Sequence, residues 1–277
     1  MSDEAWFAGL DPDDREGAIE RIREGSATAP EDWPRIAVDT GFASDESAYY
    51  EQLNEIAVEA SRRAVAERER ASDAQLVHAI RSMDDAERVA NELAERVSEW
   101  AGSLFEGPGT GVEYAREVAG REGETDGERR LIALAERTVG IADEAEELRG
   151  FVERETPTVA PNLAALAGPV LAARLISMAG GLKPLARMPS GTVQVLGAEE
   201  ALFAHLRGHA PSPKHGVIYV HEYVRGTHPE NRGSAARALA GKLAIAARID
   251  HYSGDRRPEL EAELDERMAR IRSREVE

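Results

Sequence analysis

The chain has 277 residues, of which 42% are hydrophobic and 5% aromatic, and its formal net charge is −18. Alanine, glutamate, arginine and leucine dominate, which favours helix over sheet, and an acidic surface nearly free of lysine is typical of halophilic proteins. The absence of cysteine excludes disulfides and thiolate metal sites, and the acidic start MSDEAWFAGLDPDD lacks the basic region of a signal peptide, so we expect a cytoplasmic protein.

Residues 1–41 are predicted to form a short, acidic N-terminal segment. Its large apolar side chains are Trp6, Phe7 and Trp33. A helical region over 42–156 follows, and its start, SDESAYY, offers Ser44 or Asp45 as the helix N-cap. Apolar residues recur mostly at threes and fours over 76–104 before the Gly-rich breaks GPGTG and GREGETDG. This pattern predicts long helices separated by turns.

A heptad repeat occupies the end of this region. Its positions step by three and four residues in alternation: Leu131, Leu134, Thr138, Ile141, Ala145, Leu148 and Val152. Three heptads are the minimum for a coiled coil, and an ordinary amphipathic helix packed on one neighbour has nearly the same periodicity. Both interpretations stay open here. Two long helices joined by a Gly-rich break favour an antiparallel helical hairpin.

The longest apolar stretch, 159–182, is too interrupted to be a membrane span. The interruptions are Pro161, Asn162, Pro169 and Arg174. Because a spanning helix needs roughly 20 uninterrupted apolar residues, we expect buried helices instead. Residues 157–253 mix short helices with one strand-like run, GVIYV at 216–220, and residues 254–277 form a charged helix or tail that is expected to pack weakly.

Positive charge is concentrated in 157–257. This window has twelve basic and six acidic side chains, a net of +6, whereas the rest of the chain has 22 basic and 46 acidic side chains, a net of −24. The only three lysines of the chain, Lys183, Lys214 and Lys242, lie within it. A basic module in an acidic chain indicates a polyanionic partner. The alternative is that these cations solvate helix faces or pair internally.

Signatures of catalysis are weak. His205 and His209 have the spacing of a zinc-binding helix pair, but the glutamate of H-E-x-x-H is missing. The segment GPGTG has no strand before it and no completed phosphate loop, and no G-x-S-x-G elbow exists. We therefore expect a non-catalytic protein with no catalytic residues, no metal and no cofactor.

Two long segments resemble a known family. They are AQLVHAIRSMDDAERVANELAERVSEW, and APNLAALAGPVLAARLISMAGGLKPLARMPSGTVQVLGAEEALFAHLRGHAPSPKHGVIYVHEYV followed by RGSAARALAGKLAIAARID. Over roughly 45–272 the chain is similar to the Nop domain family, in particular to the archaeal core protein of box C/D small ribonucleoproteins, which is related to Nop56 and Nop58.

The resemblance implies a mostly α fold: a short N-terminal segment, a long coiled-coil hairpin and a helical Nop-type RNA-binding module at 157–253. It also implies a scaffold that forms a homodimer and grips a kink-turn guide RNA together with the small ribosomal-type protein that binds kink-turns. The family's N-terminal domain recruits fibrillarin, which methylates ribose 2′-hydroxyls in rRNA and tRNA, so S-adenosylmethionine belongs to that partner. Here only the shortened segment 1–41 stands in the place of that domain. The alternative function is an acidic adaptor that contacts proteins only.

The same resemblance, read beside the charge pattern, gives candidate site residues. For RNA binding they are Lys183, Arg187, Lys214, His215, Arg232, Arg237, Lys242 and Arg248. For the kink-turn-binding protein they are Gly197, Ala198, Glu199, Glu200, Leu202 and Phe203. For dimerisation they are Leu131, Leu134, Ile141 and Leu148. For fibrillarin docking they are Trp6, Phe7 and Trp33.

Several of these assignments have structural alternatives. His215 could satisfy a backbone carbonyl, Arg248 and Asp250 could form structural pairs, and the tryptophans could pack on the first long helix and cap it. The chain also departs from the family, since GAEE at 197–200 and ALFA at 201–204 replace GAEK and ALFR. Each change removes a positive charge, which weakens the expectation of RNA contact there.

Overall fold

The computed structural model describes residues 5–25, 31–107 and 109–273, apart from the side chains of 68–70. These residues form helices and turns without a strand, which confirms the predicted mostly α fold. They belong to two compact units, Met1–Ala71 and Ser72–Glu277, called here the N-terminal and C-terminal units.

The N-terminal unit has its own aromatic core. Its helices are α1 (Arg15–Glu24), α2 (Trp33–Asp39) and α3 (Glu46–Arg70). Trp6 and Phe7 pack against Phe42 and Tyr49, and the indole N–H of Trp6 donates to the Tyr49 hydroxyl at 3.1 Å. Because this core needs side chains from α3, the predicted boundary after residue 41 divides a single packed unit.

The start of α3 agrees with one of the two predicted caps. The Oδ1 atom of Asp45 accepts a hydrogen bond from the backbone N–H of Ala48 at 2.8 Å, which is the geometry of an N-cap. Asp45 rather than Ser44 therefore begins the helix.

The C-terminal unit starts with a helical hairpin. Its helices are α4 (Ser72–Leu104), α5 (Gly111–Ala119) and α6 (Asp126–Val159). Thr125 and Glu128 form a capping box that begins α6 after the GREGETDG break. The start of α6 packs on the end of α4, and Arg149 near its other end is hydrogen-bonded to Glu87. The two long helices are therefore antiparallel, as predicted.

The heptad positions of α6 divide into two sets. Leu131, Thr138, Ala145 and Val152 are buried inside the chain, where α6 packs on its neighbours. Leu134, Ile141 and Leu148 are half-buried and repeat every seven residues along one shoulder of the helix. The repeat therefore serves first to close the hairpin within the chain.

The rest of the C-terminal unit is a cluster of short helices around one long one. These helices are α7 (Pro161–Ala167), α8 (Pro169–Ala179), α9 (Leu182–Arg187), α10 (Ser190–Val195), α11 (Glu199–Leu206), α12 (Glu222–Arg225), α13 (Arg232–Tyr252) and α14 (Glu259–Arg272). The central helix is α13, which contacts α7, α9, α10, α12 and α14. Most of its buried residues are alanines, whose small side chains let several neighbours approach its backbone.

Two predictions for this region were wrong. The run GVIYV contains a 3₁₀ turn, Val217–Val220, because Tyr219 N–H bonds back to Gly216 O and the described residues offer no strand to pair with. The C-terminal helix, α14, is not weakly packed. Its four apolar residues, Leu260, Leu264, Met268 and Ile271, are all buried in the main core.

The apolar stretch 159–182 forms α7 and α8, which are bent by 117° at a break at Gly168. In the described part of the chain, no single helix is long and apolar enough to cross a membrane.

Candidate nucleic-acid interface

Cationic and aromatic side chains meet at the N-terminal end of α13. The stem of Lys214 packs over this end, with its Cδ 3.7 Å from the position of a Cβ at Gly233. The ring of His215 stacks on Tyr219 at a centroid separation of 4.6 Å, and the Arg232 guanidinium lies 5.5 Å from the Tyr219 centroid. Since a helix N-terminus also attracts anions, this group, called here the α13 cap cluster, suits a phosphate.

The loop that carries Lys214 is held by Gln194 of α10. The Gln194 side-chain N–H donates to the Lys214 carbonyl at 2.8 Å, and its backbone carbonyl accepts from Gly216 N–H at 2.9 Å. A Cβ at Gly216 would lie 2.0 Å from the Leu196 carbonyl oxygen, so only glycine allows this close approach. The loop is therefore ordered before a ligand binds, which lowers the entropic cost of binding.

The charge state of His215 reflects its surroundings. Partial burial lowers the pKa of His215, and the nearby positive charges of Arg232 and Lys214 lower it further. The imidazole is therefore neutral over more of the pH range than an exposed histidine. An anion bound among these three side chains would oppose that effect.

A second group of basic residues lies on and around α9. Lys183 is exposed in its first turn and Arg187 at its C-terminal end, and neither forms an ion pair with another residue in the described ranges. Arg248 of α13 reaches the same end of α9, where its guanidinium donates to the Ala186 carbonyl at 3.1 Å and to the Met188 carbonyl at 3.2 Å. Arg248 thus fixes α9 on α13, which is the structural alternative considered for it.

The remaining predicted RNA contacts on α13 differ from one another. Arg237 is exposed on the same helix face as Arg248. Lys242 faces α14 instead, where its ammonium pairs with Glu263 and the side chain is only 17% exposed. Lys242 is therefore a structural cation, and Arg232 is partly so, because its Nε donates to the Thr227 carbonyl at 3.0 Å.

The residues assigned to a partner protein lie on and before α11. This helix buries none of its residues, and Phe203 is 58% exposed. Gly197 has a left-handed φ of 84°, and its N–H donates to Glu199 Oε1 at 2.8 Å. Around them Glu200 is exposed, and Ala198 and Leu202 are half-buried. Exposed Leu206 extends the apolar surface of Phe203. This surface is suited to protein contact more than to phosphate contact.

The residues assigned to fibrillarin docking are not exposed anchors. Trp6 and Phe7 are buried in the core of the N-terminal unit, and Trp33 is half-buried. The rings instead pack against α3 and the rest of the N-terminal core, which agrees with the structural alternative. Of the residues assigned to dimerisation, Leu131 is fully buried within the chain, so only Leu134, Ile141 and Leu148 offer surface to a second copy.

Comparison with known proteins identifies the family. The profile described as "Nop: snoRNA binding domain, fibrillarin" matches residues 69–272, most of the chain. The chain belongs to the Nop family. This Nop match starts where the C-terminal unit starts, later than the residue 45 expected from the sequence, and it leaves the N-terminal unit outside.

Individual relatives support the assignment of this chain to the Nop family. It is 47% identical over 142 residues to an uncharacterised NOP5 family protein of Methanocaldococcus jannaschii, which covers 51% of the chain and 34% of the relative. It is 33% identical over 215 residues to nucleolar protein 58 of Aspergillus clavatus, covering 64% of the chain and 36% of the relative. The chain thus spans about a third of the length of these relatives.

A solved structure supports the Nop-type fold. A chain in the crystal structure of the fibrillarin/Nop5p complex superposes with a TM-score of 0.54 and 23% identity, over 97% of this chain and 99% of that one. At this identity the similarity concerns the fold.

Sequence reasoning missed two residues of the interface. Tyr219 organises the α13 cap cluster, but the run GVIYV was interpreted as a strand, which hid its proximity to His215. Gln194 belongs to no recognisable motif. Its contact with the Lys214 loop depends on where α10 packs, which the sequence does not show.

Proposed function

We propose that this chain is the RNA-binding scaffold of a box C/D guide ribonucleoprotein that directs ribose 2′-O-methylation. In this role it binds a kink-turn guide RNA together with the kink-turn-binding protein and connects both to fibrillarin, which carries out the methyl transfer. The observation that carries the proposal is the set of exposed cations at both ends of α13. Lys214 lies over its first turn, and Arg187 lies near Arg248, about 22 Å along the helix.

The charge balance supports nucleic acid as the ligand. In a chain of net charge −18, exposed basic side chains that have no carboxylate partner and lie within the window of net charge +6 favour an anionic ligand there. Phosphate contacts position a protein on RNA, and ordered donors such as Lys214 make such contacts at low entropic cost.

The surface of α11 supports the protein half of the proposed complex. It combines exposed Phe203 and Leu206 with Glu199 and Glu200, a mixture that repels phosphates and favours a protein partner. The alternative function, a protein-only adaptor, would need this surface but not the α13 cap cluster.

Binding of a kink-turn guide RNA, measured by gel shift with and without the kink-turn-binding protein, separates the two functions. We expect wild-type chain to shift the complex of RNA and protein, and Arg187→Ala with Lys214→Ala to weaken that shift while helix content stays the same. The matched control is Arg88→Ala with Arg96→Ala, which removes two exposed cations from α4. A shift equal in all three proteins would contradict the proposed RNA contacts.

Recruitment of fibrillarin is the second part of the proposal. Because Trp6 and Phe7 depend on α3 for burial, a deletion of residues 1–41 would expose Tyr49 and Ile56 and confuse the result. Deletion of 1–71 removes a whole unit instead. Calorimetric titration of fibrillarin should show binding to the full chain and loss with this deletion, and equal binding by both proteins would place recruitment on the C-terminal unit.

A further inference from the structure

The helix α3 has an uncharged face that points away from the core of its unit. Its inner side chains, Tyr49, Ile56 and Ala60, are buried. On the opposite side, exposed residues repeat with a period close to 3.6 residues: Ser47, Tyr50, Asn54, Val58, Ser61 and Val65. These six residues are uncharged, whereas charged side chains, among them Glu51 and Arg62, border the stripe. A solvent-facing stripe of this kind on so charged a helix indicates a contact surface.

The stripe has a depression at one end and a side chain that fits it at the other. The depression is apolar and is lined by α3 alone, including Val58, Ser61, Arg62 and Val65. These four residues have the i, i+3, i+4, i+7 spacing of a hole that accepts one side chain from a facing helix. Tyr50 is 57% exposed, three turns before the centre of the hole.

We propose that the stripe binds the same stripe of a second copy of this chain, with the two α3 helices antiparallel. When the two-fold axis lies between the helices at the level of residue 56, Tyr50 of each copy enters the hole of the other. The same register places Glu51 opposite Arg62 twice, along the edge of the contact. The fit of Tyr50 into the hole and the pairing of Glu51 with Arg62 favour the same register. This agreement favours a second copy of the chain as the partner.

The contact is small, which determines how it is tested. The stripe is about 27 Å long, and one helix pair buries far less than the about 1,200 Å² of a stable interface, so association is transient. The copies also repel each other through their net charge of −18, but in about 1 M salt that repulsion is screened within about 3 Å. Chemical trapping in high salt is therefore suitable.

The chain has no cysteine, so introduced thiols report on single positions. The register places Asn54 of one copy opposite Val58 of the other, and both side chains are exposed. Full-length Asn54→Cys and Val58→Cys chains of different tag length are mixed and oxidised. We expect the mixed disulfide dimer to form several-fold faster than when Asn54→Cys is mixed with Ser47→Cys, because that pair is about 16 Å out of register.

A second variant guards against random collision. Adding Tyr50→Asp to both chains should reduce the mixed dimer to the level of the mismatched pair, while circular dichroism stays unchanged because Tyr50 lies outside the core. Equal rates for the matched and mismatched pairs would overturn the proposal, and so would a matched rate that does not respond to Tyr50→Asp. This contact is independent of the proposed RNA function, so either can fail alone.

Discussion

At the scale of single residues, the proposed interface depends on a few cations whose surroundings differ. Lys214 and Arg187 face solvent. Lys242 instead forms an ion pair with Glu263, and Arg248 donates hydrogen bonds to backbone carbonyls. Formal charge alone does not distinguish these groups, because a paired cation releases no counterion when RNA binds.

The salt dependence of binding measures the exposed pair. Removing one cation that binds a phosphate should reduce the slope of log affinity against log salt by roughly one unit, so Arg187→Ala with Lys214→Ala should reduce it by about two. Lys242→Gln should leave the slope unchanged. Titration of labelled guide RNA at several salt concentrations gives the slopes. An unchanged slope in the double variant would remove both residues from the interface.

His215 should make RNA binding depend on pH. Burial and the charges of Arg232 and Lys214 lower the pKa of His215 in the free chain, and a bound phosphate would raise it. Binding then takes up a proton, so affinity should increase as the pH falls through the range below about 6.5. His215→Gln should flatten this dependence relative to wild type. The same profile in both proteins would show that no phosphate binds beside the ring.

Asp250 is a structural residue, as one interpretation of the sequence allowed, but its partners could not be read from the sequence. Its carboxylate, buried on α13, accepts hydrogen bonds from the backbone N–H groups of Asn162 and Leu163 at 3.0 and 2.8 Å and from the Asn162 side chain at 2.6 Å, and so caps α7. Asp250→Ala would leave these donors unpaired and should lower the free energy of unfolding by at least about 2 kcal/mol. Urea unfolding measures this, with exposed Asp255→Ala as the control. Equal stability of the two variants would contradict the capping role.

At the scale of elements, the hairpin separates residues that stabilise the chain from residues that remain available. Leu131 is buried inside the chain, whereas Leu134, Ile141 and Leu148 are half-buried on one shoulder of α6, where Leu134 and Leu148 also pack against the cores. We propose that a homodimer of the assembled scaffold forms through this shoulder of the hairpin.

Substitutions on the two sides should have different effects. Leu134→Asp with Ile141→Asp introduces charge into the proposed contact, so sedimentation should show monomers with unchanged helix content. Leu131→Ala leaves a cavity and should cost about 2–5 kcal/mol of stability while dimers persist. If wild-type chain is monomeric at micromolar concentration, this shoulder does not carry a dimer.

Long periodic elements were predictable from sequence, and tertiary details were not. Heptads and Gly-rich breaks predicted the hairpin. N-cap chemistry placed the start of α3 at Ser44 or Asp45, and the structure has Asp45. GVIYV failed because a short apolar run has no length to distinguish a strand from a 3₁₀ turn. The burial of Trp6 and the pairing of Lys242 were among the alternatives but could not be decided, since both depend on partners that lie more than 20 residues away in the chain.

At the scale of the whole molecule, the two units differ in their relation to the Nop family. The C-terminal unit coincides with the Nop family match and contains the proposed RNA-binding and partner-binding surfaces. The N-terminal unit lies outside that match and has its own aromatic core. This division favours RNA gripping by one unit and recruitment or self-contact by the other.

Sequencing the RNA that co-purifies with the chain from its own cells tests the central claim most directly. Guide RNAs with a kink-turn should be enriched with the wild-type chain and depleted with Arg187→Ala and Lys214→Ala, while the Arg88→Ala and Arg96→Ala control should resemble wild type. Recovery of no enriched RNA, or of the same RNAs with the Arg187 and Lys214 variant, would contradict the account of this chain as an RNA-binding scaffold.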